Sequence, residues 1–293
     1  MRLLIFRSAE QIWKVSSSKC IKREKGMTSM KSYIRIFHKT ISTSFVYRSN
    51  FYMPMLAYFV FVFLQFSLWS AVFAVNEPKG TTMSQMMTYI FIGMMIRFLT
   101  TASASDQLSQ EIREGKIELM LIRPYNLFLF FLAKQLAQIV VDFITKGLPL
   151  LGISLLFLSP FIQIPYNLSN WLYFGFCCMN AVLIAFCMDY IIGLMAFWII
   201  ETWQLRFLVQ DIGNVFSGVF IPLWFFSDTF LWIANLLPYP YLYFYPINVL
   251  LGNVDHASFL PQALIGLSWS IGLVGVIMIM WHFCKSRIVI QGG

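Results

Sequence analysis

Residues 51–75, FYMPMLAYFVFVFLQFSLWSAVFAV, run without a single charged side chain. A helix rises about 1.5 Å per residue, so roughly 20 apolar residues cross the ~30 Å hydrocarbon core of a bilayer. Similar runs recur at about 83–104, within 127–158, and at about 171–200, 205–226 and 262–283. Six such segments are more apolar surface than a water-soluble core can hide. Composition agrees: 59% of residues are hydrophobic and 12% charged, against about 25% charged in soluble domains. The expected fold class is an all-α, polytopic membrane protein with six transmembrane helices.

Basic residues set the expected orientation. Eleven of the twenty-one lysines and arginines fall in the first 50 residues. With the N-terminus inside, the segments 1–50, 104–123, 201–206 and 284–293 are cytoplasmic and hold seventeen of them, whereas the opposite side holds only Lys79. Lys and Arg concentrate on the cytoplasmic side of membrane proteins. The net charge of +8 therefore points to anionic lipid and not to nucleic acid. A multi-pass cell-membrane protein with both termini cytoplasmic is expected.

Three parts are expected along the chain: a basic, disordered tail over 1–30, an amphipathic interfacial helix over 31–50, and a six-span domain over 51–293. Residues 1–26 lack the apolar core and small-residue cleavage site of a signal peptide. From Lys31 the pattern changes. Ile34, Phe37, Ile41 and Phe45 repeat at helical spacing, with Lys31, Arg35 and Lys39 on another side, which suits a helix on the inner membrane surface.

Local catalytic signatures are missing from the sequence. It contains no G-x-x-x-x-G-K-[ST] phosphate loop, no H-E-x-x-H and no G-x-S-x-G, so the chain is expected to be neither an ATPase nor another enzyme. His38, His256 and His282 lie far apart, and Cys177, Cys178 and Cys187 sit within one apolar run, with Cys20 and Cys284 beside basic residues. No metal site is expected from such spacing.

What remains are charges inside the spans. Lys134, Gln138, Asp142 and Lys146 recur every four residues in span three, with Gln135 and Thr145 at the edges of the stripe. The stripe extends about 18 Å along a helix. Arg97 falls in span two and Asp189 in span four. An intramembrane charge costs about 2.5–3.5 kcal/mol at a span centre on insertion scales, so it needs partners or water. Two readings stand. Arg97, Gln138, Asp142, Lys146 and Asp189 line a translocation path, or they are fixed ion pairs, with Arg97 on Asp142 or Asp189 and Asp142 on Lys146.

Between spans two and three lies SDQLSQEIREGKIELMLIRP (105–124), charged and amphipathic. Ser105 or Asp106 is expected to cap a short helix. Leu108 and Ile112 share one face, while Asp106, Gln107, Gln110, Glu111, Arg113 and Glu114 occupy the rest. Gly115 ends the helix, and Ile117, Met120 and Leu121 form a second apolar face before Pro124. Near the other end, PLWFFSDTFLWIANLLPYPYLYFYP (222–246) packs aromatics among four prolines. It is too broken for a straight span and too apolar for a free loop. Short helices dipping into the outer leaflet, broken at Pro222, Pro238 and Pro240, fit it. An interfacial aromatic belt is the alternative.

QLSQEIREGKIELMLIRPYNLFLFFLAKQLAQ resembles the segment of ABC type-2 transporter permeases in which a G-x-[IL]-x-x-x-L-x-[RK]-P run follows the second span. Gly115, Ile117, Leu121, Arg123 and Pro124 match that run. GVFIPL (218–223), Leu237-Pro238, Tyr245-Pro246 and the terminal Gln291-Gly292-Gly293 resemble the same family. The resemblance covers about residues 30–293. It implies the permease half of an ATP-driven transporter, usually an exporter, whose cytoplasmic coupling helix Asp106–Gly115 seats in a separate ATPase. It further implies two ATPase copies carrying ATP and Mg, no cofactor in this chain, and a second permease, identical or different. By the same resemblance Pro222, Trp224, Phe225, Phe226 and Pro238 belong to an extracellular gate of broken re-entrant helices. The rival readings are an ion-coupled carrier using the span-three stripe and a membrane enzyme on lipid-linked substrates. The first lacks a convincing internal repeat and the second a catalytic cluster.

Overall fold

The computed structural model describes residues 30–45, 52–75, 81–122, 126–158, 160–163, 167–199 and 201–285. The tail over 1–29, the Arg123–Pro124 pair and the terminal Gln291-Gly292-Gly293 lie outside the described residues. Within them the chain is helical, without strands. The helices are α1 (Met30–Ser44), α2 (Tyr52–Val75), α3 (Met83–Thr100), α4 (Ala104–Arg113), α5 (Ile117–Ile122), α6 (Leu127–Asp142), α7 (Leu148–Leu158), α8 (Leu168–Leu194), α9 (Trp203–Phe216), α10 (Asp228–Asn235), α11 (Phe244–Leu251) and α12 (His256–Lys285).

Side-chain caps start three of the long helices. Thr82 and Gln85 form a reciprocal capping box on α3. Asn126 Oδ1 accepts from the Phe128 and Leu129 N–H groups at the start of α6, and Asn167 caps α8. Each satisfies backbone donors that have no intrahelical partner.

Helices α3 and α8 form the centre. Tyr89, Ile96 and Phe98 of α3 and Ile184, Phe186 and Leu194 of α8 are almost fully buried. Buried Ser270 of α12 donates to Asn180 Oδ1 of α8 at 2.6 Å, a polar link of the kind that joins helices in lipid. Helix α2 stands at the periphery, with Met53, Phe63, Leu64 and Leu68 more than half exposed and Trp69 buried.

Helix α1 falls on the first part of the expected 31–50 stretch, whose residues 46–50 lie outside the described ones, and packs along α6. The Asn126 N–H donates to Tyr33 Oη at 3.1 Å, and Ser44 Oγ donates to Gln138 Oε1 at 3.5 Å. Ile34 and Phe45 remain exposed. One side of the helix therefore serves a neighbouring helix and another is left for lipid.

Span three is interrupted. Between α6 and α7, residues Phe143–Gly147 adopt a π-helix, and the Leu148 N–H reaches the Phe143 carbonyl five residues back. Pro149 supplies the reason: it has no N–H for the Thr145 carbonyl and its ring crowds that turn, so the ladder slips.

Among the described residues, five segments are long and apolar enough to cross a membrane: Met55–Val75, Met83–Arg113, Leu127–Ser154, Leu168–Phe197 and Ala257–Lys285. The expected fifth span, 205–226, is different. Helix α9 has 14 residues, about 21 Å of rise, and ends ten residues early. Gly218 then turns the chain with φ of 74°, and Pro222 opens a single 3-10 turn. The break lies beside the middle of α3, where Gly93 leaves room for Ile247 and Val219. Tyr89 Oη donates to the Gly218 carbonyl at 2.8 Å, and the Phe244 N–H donates to Ser217 O at 3.2 Å.

This bend gives a test. A Cβ on Gly218 would lie 3.1 Å from Leu223 Cγ and 3.2 Å from Tyr89 Oη, on top of the roughly 1–2 kcal/mol that a left-handed conformation costs an L-residue. Gly218→Ala should lower the thermal midpoint of the chain in nanodiscs. Gly272→Ala, with nothing within 4 Å of the added methyl, should not. Equal midpoints would show that the bend is unstrained.

Candidate functional site

The site is built around a carboxylate. Asp189 of α8 is 7% exposed, and its two oxygens accept from the Ser105 N–H at 2.7 Å and the Ser105 hydroxyl at 2.6 Å. Ser105 lies in the first turn of α4, where backbone N–H groups lack partners and a negative charge is favoured. Asp189 thus caps α4 from another helix. The expected caps differ: α4 begins at Ala104, and Ser103 at its N-cap makes no side-chain capping bond. Ser105 is drawn inward by the carboxylate, and Asp106 turns outward to Arg206.

Arg206 of α9 completes the joint. Its Nε lies 3.5 Å from Asp189 Oδ1, one terminal nitrogen pairs with Asp106, and the other donates to the Ala102 carbonyl at 2.5 Å. One guanidinium therefore ties α9 to α8, α4 and the α3–α4 connection. Close packing reinforces this. A Cβ on Gly193 would sit 3.1 Å from both Leu108 Cβ and Ser105 Cα, so α4 rests on α8 where α8 has no side chain.

The seated face of α4 consists of Ala104, Ser105, Leu108 and Ser109, all buried, with Ile112 packed beside them. On the other side Gln110, Arg113, Glu114 and Gly115 are exposed. Gln107 and Glu111 are half-buried, and Lys134 Nζ donates to Gln107 Oε1 at 3.1 Å. Arg113 lies 3.7 Å from Glu201. Hydrogen bonds from Lys116 and then Gln110 hold the Glu114 carboxyl below its ordinary pKa. Gly115 takes the left-handed conformation, φ 69°, and ends the helix. In α5, Ile117 and Met120 join the core while Leu121 stays exposed.

The intramembrane charges separate into two groups. Asp142 pairs with Lys146 at 2.6 Å and accepts from Gln138 at 3.1 Å. Gln135 accepts from the Ser103 N–H and donates to the Thr101 carbonyl. The expected Asp142–Lys146 pair is present, closing the π-turn. Arg97 meets neither Asp142 nor Asp189. Its guanidinium faces the Phe220 ring, 5.5 Å from the centroid. Arg97, Asp189 and Arg206 instead line one half-open cavity of about 150 Å³ between α3, α8, α9 and the turn at Tyr239–Tyr243. Arg206 and Tyr243 were not singled out from the sequence. An arginine opening a short, polar-faced helix directly after a span that carries an aspartate is the signal that could have found the first.

The aromatic segment packs inward on α2 and α3. Trp224 meets Tyr89 edge-on at 5.1 Å, Phe225 stacks on Trp69 at 5.5 Å, and Phe226 stacks on Phe230 at 4.3 Å. Pro222 and Pro238 each precede a 3-10 turn. Lower down, Tyr239 lies against Gly213, and the Tyr243 and Thr100 hydroxyls share a hydrogen bond of 2.7 Å. The broken segment therefore runs beside α3 from the level of Tyr89 to that of Thr100.

Residues 52–292 match the family described as ABC-2 family transporter protein. The chain belongs to the ABC-2 transporter family. No curated protein and no solved structure matches it. An ABC-2 permease is a multi-pass membrane transport component, and membership implies partnership with an ABC ATPase subunit.

The Asp189 joint in this ABC-2 permease makes a measurable claim. Removing one member of a buried pair costs about 3–5 kcal/mol, and less here because the Arg206 side chain is 27% exposed. Arg206→Gln should lower the thermal midpoint, and adding Asp189→Asn should recover part of that loss. A coupling of about 1 kcal/mol in the double-mutant cycle is expected. Strict additivity would dismiss the joint.

Proposed function

We propose that this chain is the permease half of an ATP-driven exporter of hydrophobic or amphipathic cargo, powered through α4 by a separate ATPase. The supporting observation is the two-sided character of α4. Its inner side is locked to α8 by Leu108, Gly193 and the Asp189–Ser105 bonds, while Gln110, Arg113 and Glu114 stay exposed on the other. A push on the exposed side would be carried by Asp106 and Arg206 into α9. The ATPase, present in two copies, would supply ATP and Mg, and this chain would need no cofactor of its own.

A second permease, identical or different, would complete the path. Helix α9 presents Trp203, Phe207, Leu208 and Val215, each more than half exposed, as apolar surface for that partner or for lipid. The ATPase and both termini would lie on the cytoplasmic side of the cell membrane, where the basic residues concentrate. Tyr239–Tyr243 and the aromatic turn at Trp224 and Phe225 would close the path from outside. ATP binding would shift a pre-existing equilibrium between two arrangements of α9 against α3. The charged stripe of span three would be fixed structure within that span: Asp142 is already matched by Lys146 and Gln138.

Glu111→Lys with Arg113→Glu reverses charge on the outer side of α4. Like charges brought together across an interface cost several kcal/mol, so co-purification of the ATPase should fall about ten-fold or more while insertion and monodispersity persist. Undiminished co-purification would rule out α4 as the coupling element.

A further inference from the structure

We infer that the cavity between α3, α8 and α9 binds the oxyanion, phosphate or carboxylate, of an amphiphile, with Arg97 as the cation that receives it. As the headgroup site for cargo, this rests on the exporter reading above.

Arg97 sits in α3 between buried Ile96 and Phe98. A guanidinium carries five N–H donors. Among the described residues this one makes no ion pair and no hydrogen bond, and the Phe220 ring at 5.5 Å can satisfy only part of a cation's demand. Arg97 lies in the last turn of α3, and an arginine within a span takes a counter-charge or water.

The nearby carboxylates are already engaged. Asp189 takes two hydrogen bonds from Ser105 and the charge of Arg206, Asp106 also pairs with Arg206, and Asp142 pairs with Lys146. Arg97 is therefore left without a carboxylate partner among the described residues and lines a cavity.

That cavity holds about 150 Å³, some five waters at about 30 Å³ each. It admits a headgroup and not a whole amphiphile. Gln210, Asn214 and Tyr243 line it beside Arg97, and Ile192 and Leu242 supply apolar wall. A planar guanidinium with amide N–H donors nearby suits phosphate or carboxylate, which accept paired hydrogen bonds. A quaternary ammonium would meet only Asp189, whose oxygens already accept from Ser105 and face Arg206.

The test titrates the purified full chain, in neutral maltoside detergent, with dodecyl phosphate, laurate and dodecyltrimethylammonium. The two anions should bind and the cation should not. Arg97→Gln should weaken dodecyl phosphate binding about ten-fold or more, as expected for loss of a charge-assisted contact, and Arg97→Lys should weaken it less. Equal affinity of the unsubstituted chain and Arg97→Gln, or equal binding of cation and anion, overturns the proposal. The anion–cation contrast uses the unsubstituted chain and stands even if Arg97→Gln fails to fold.

Native mass spectrometry assigns the source. One anionic phospholipid retained per chain and lost in Arg97→Gln identifies a resident bilayer lipid. A chain purified empty that then binds dodecyl phosphate identifies a transport site. Neither retention nor binding sinks the idea. The titration contains no ATPase, so a chain that retains its ATPase yet ignores dodecyl phosphate defeats only this inference. Binding of the amphiphile by a chain that captures no ATPase in the co-purification defeats only the exporter reading.

Discussion

A carboxylate buried in a helix bundle is costly to keep charged, and the cost of desolvation is recovered only when every lone pair is answered. Asp189 meets that condition with donors from two other helices: the Ser105 N–H and hydroxyl of α4 and the Arg206 guanidinium of α9. Each partner is also satisfied by the arrangement. The α4 N-terminus gains the cap its own Ser103 does not provide, and Arg206 gains Asp106 and the Ala102 carbonyl. Displacing any one of the three helices would strand a buried polar group on another. The short charged helix is thereby coupled to the bundle's interior, although Asp106, Gln110 and Arg113 face outward.

The same joint explains why α9 can be short. A helix that stops beside the middle of α3 leaves carbonyls unpaired at depth unless something else takes them. Here the Phe244 N–H meets Ser217 O, and Tyr89 Oη meets Gly218 O. Two glycines make the fit: Gly93 lets the segment approach α3, and Gly218 supplies the left-handed turn. Anchored at one end by Arg206 and at the other by this bend, α9 is held at its termini while its outer face stays open.

Much of this was legible in the sequence. The apolar runs located five long helices, Gly115 marked the end of α4, and Pro222 and Pro238 marked the breaks of the aromatic segment. These are local signals, carried by backbone freedom or by solvent preference over one stretch of chain. The fifth run misled because apolar content was read as length, while its ending was decided by Gly218 against Tyr89, residues 129 positions apart. The cap on α4 was misplaced for a similar reason. Ser105 is a good N-cap residue by propensity, but Asp189, 84 positions away, needs both its donors. Likewise, Arg97 had two plausible carboxylates in the sequence, and each had a stronger claim elsewhere.

That last mismatch separates the polar groups within the bundle. Where a charge is matched at i,i+4, as with Asp142 and Lys146, the pair is complete within one helix, and motion of the helix leaves it intact. Such a pair is suited to holding a π-turn closed and poorly suited to sensing anything. Arg97 differs because its complement is not covalently near. Its position is set by α3, whereas the cavity it faces is bounded by α8, α9 and the Tyr239–Tyr243 turn. Any movement of α9 relative to α3 must change the volume and donor set around this guanidinium. An anion held there would bind two arrangements of the bundle with different strength, and differential affinity is what allows a ligand to shift a conformational equilibrium. Arg97 and the joint that anchors α9 thus meet in one cavity, because Arg206 is part of both.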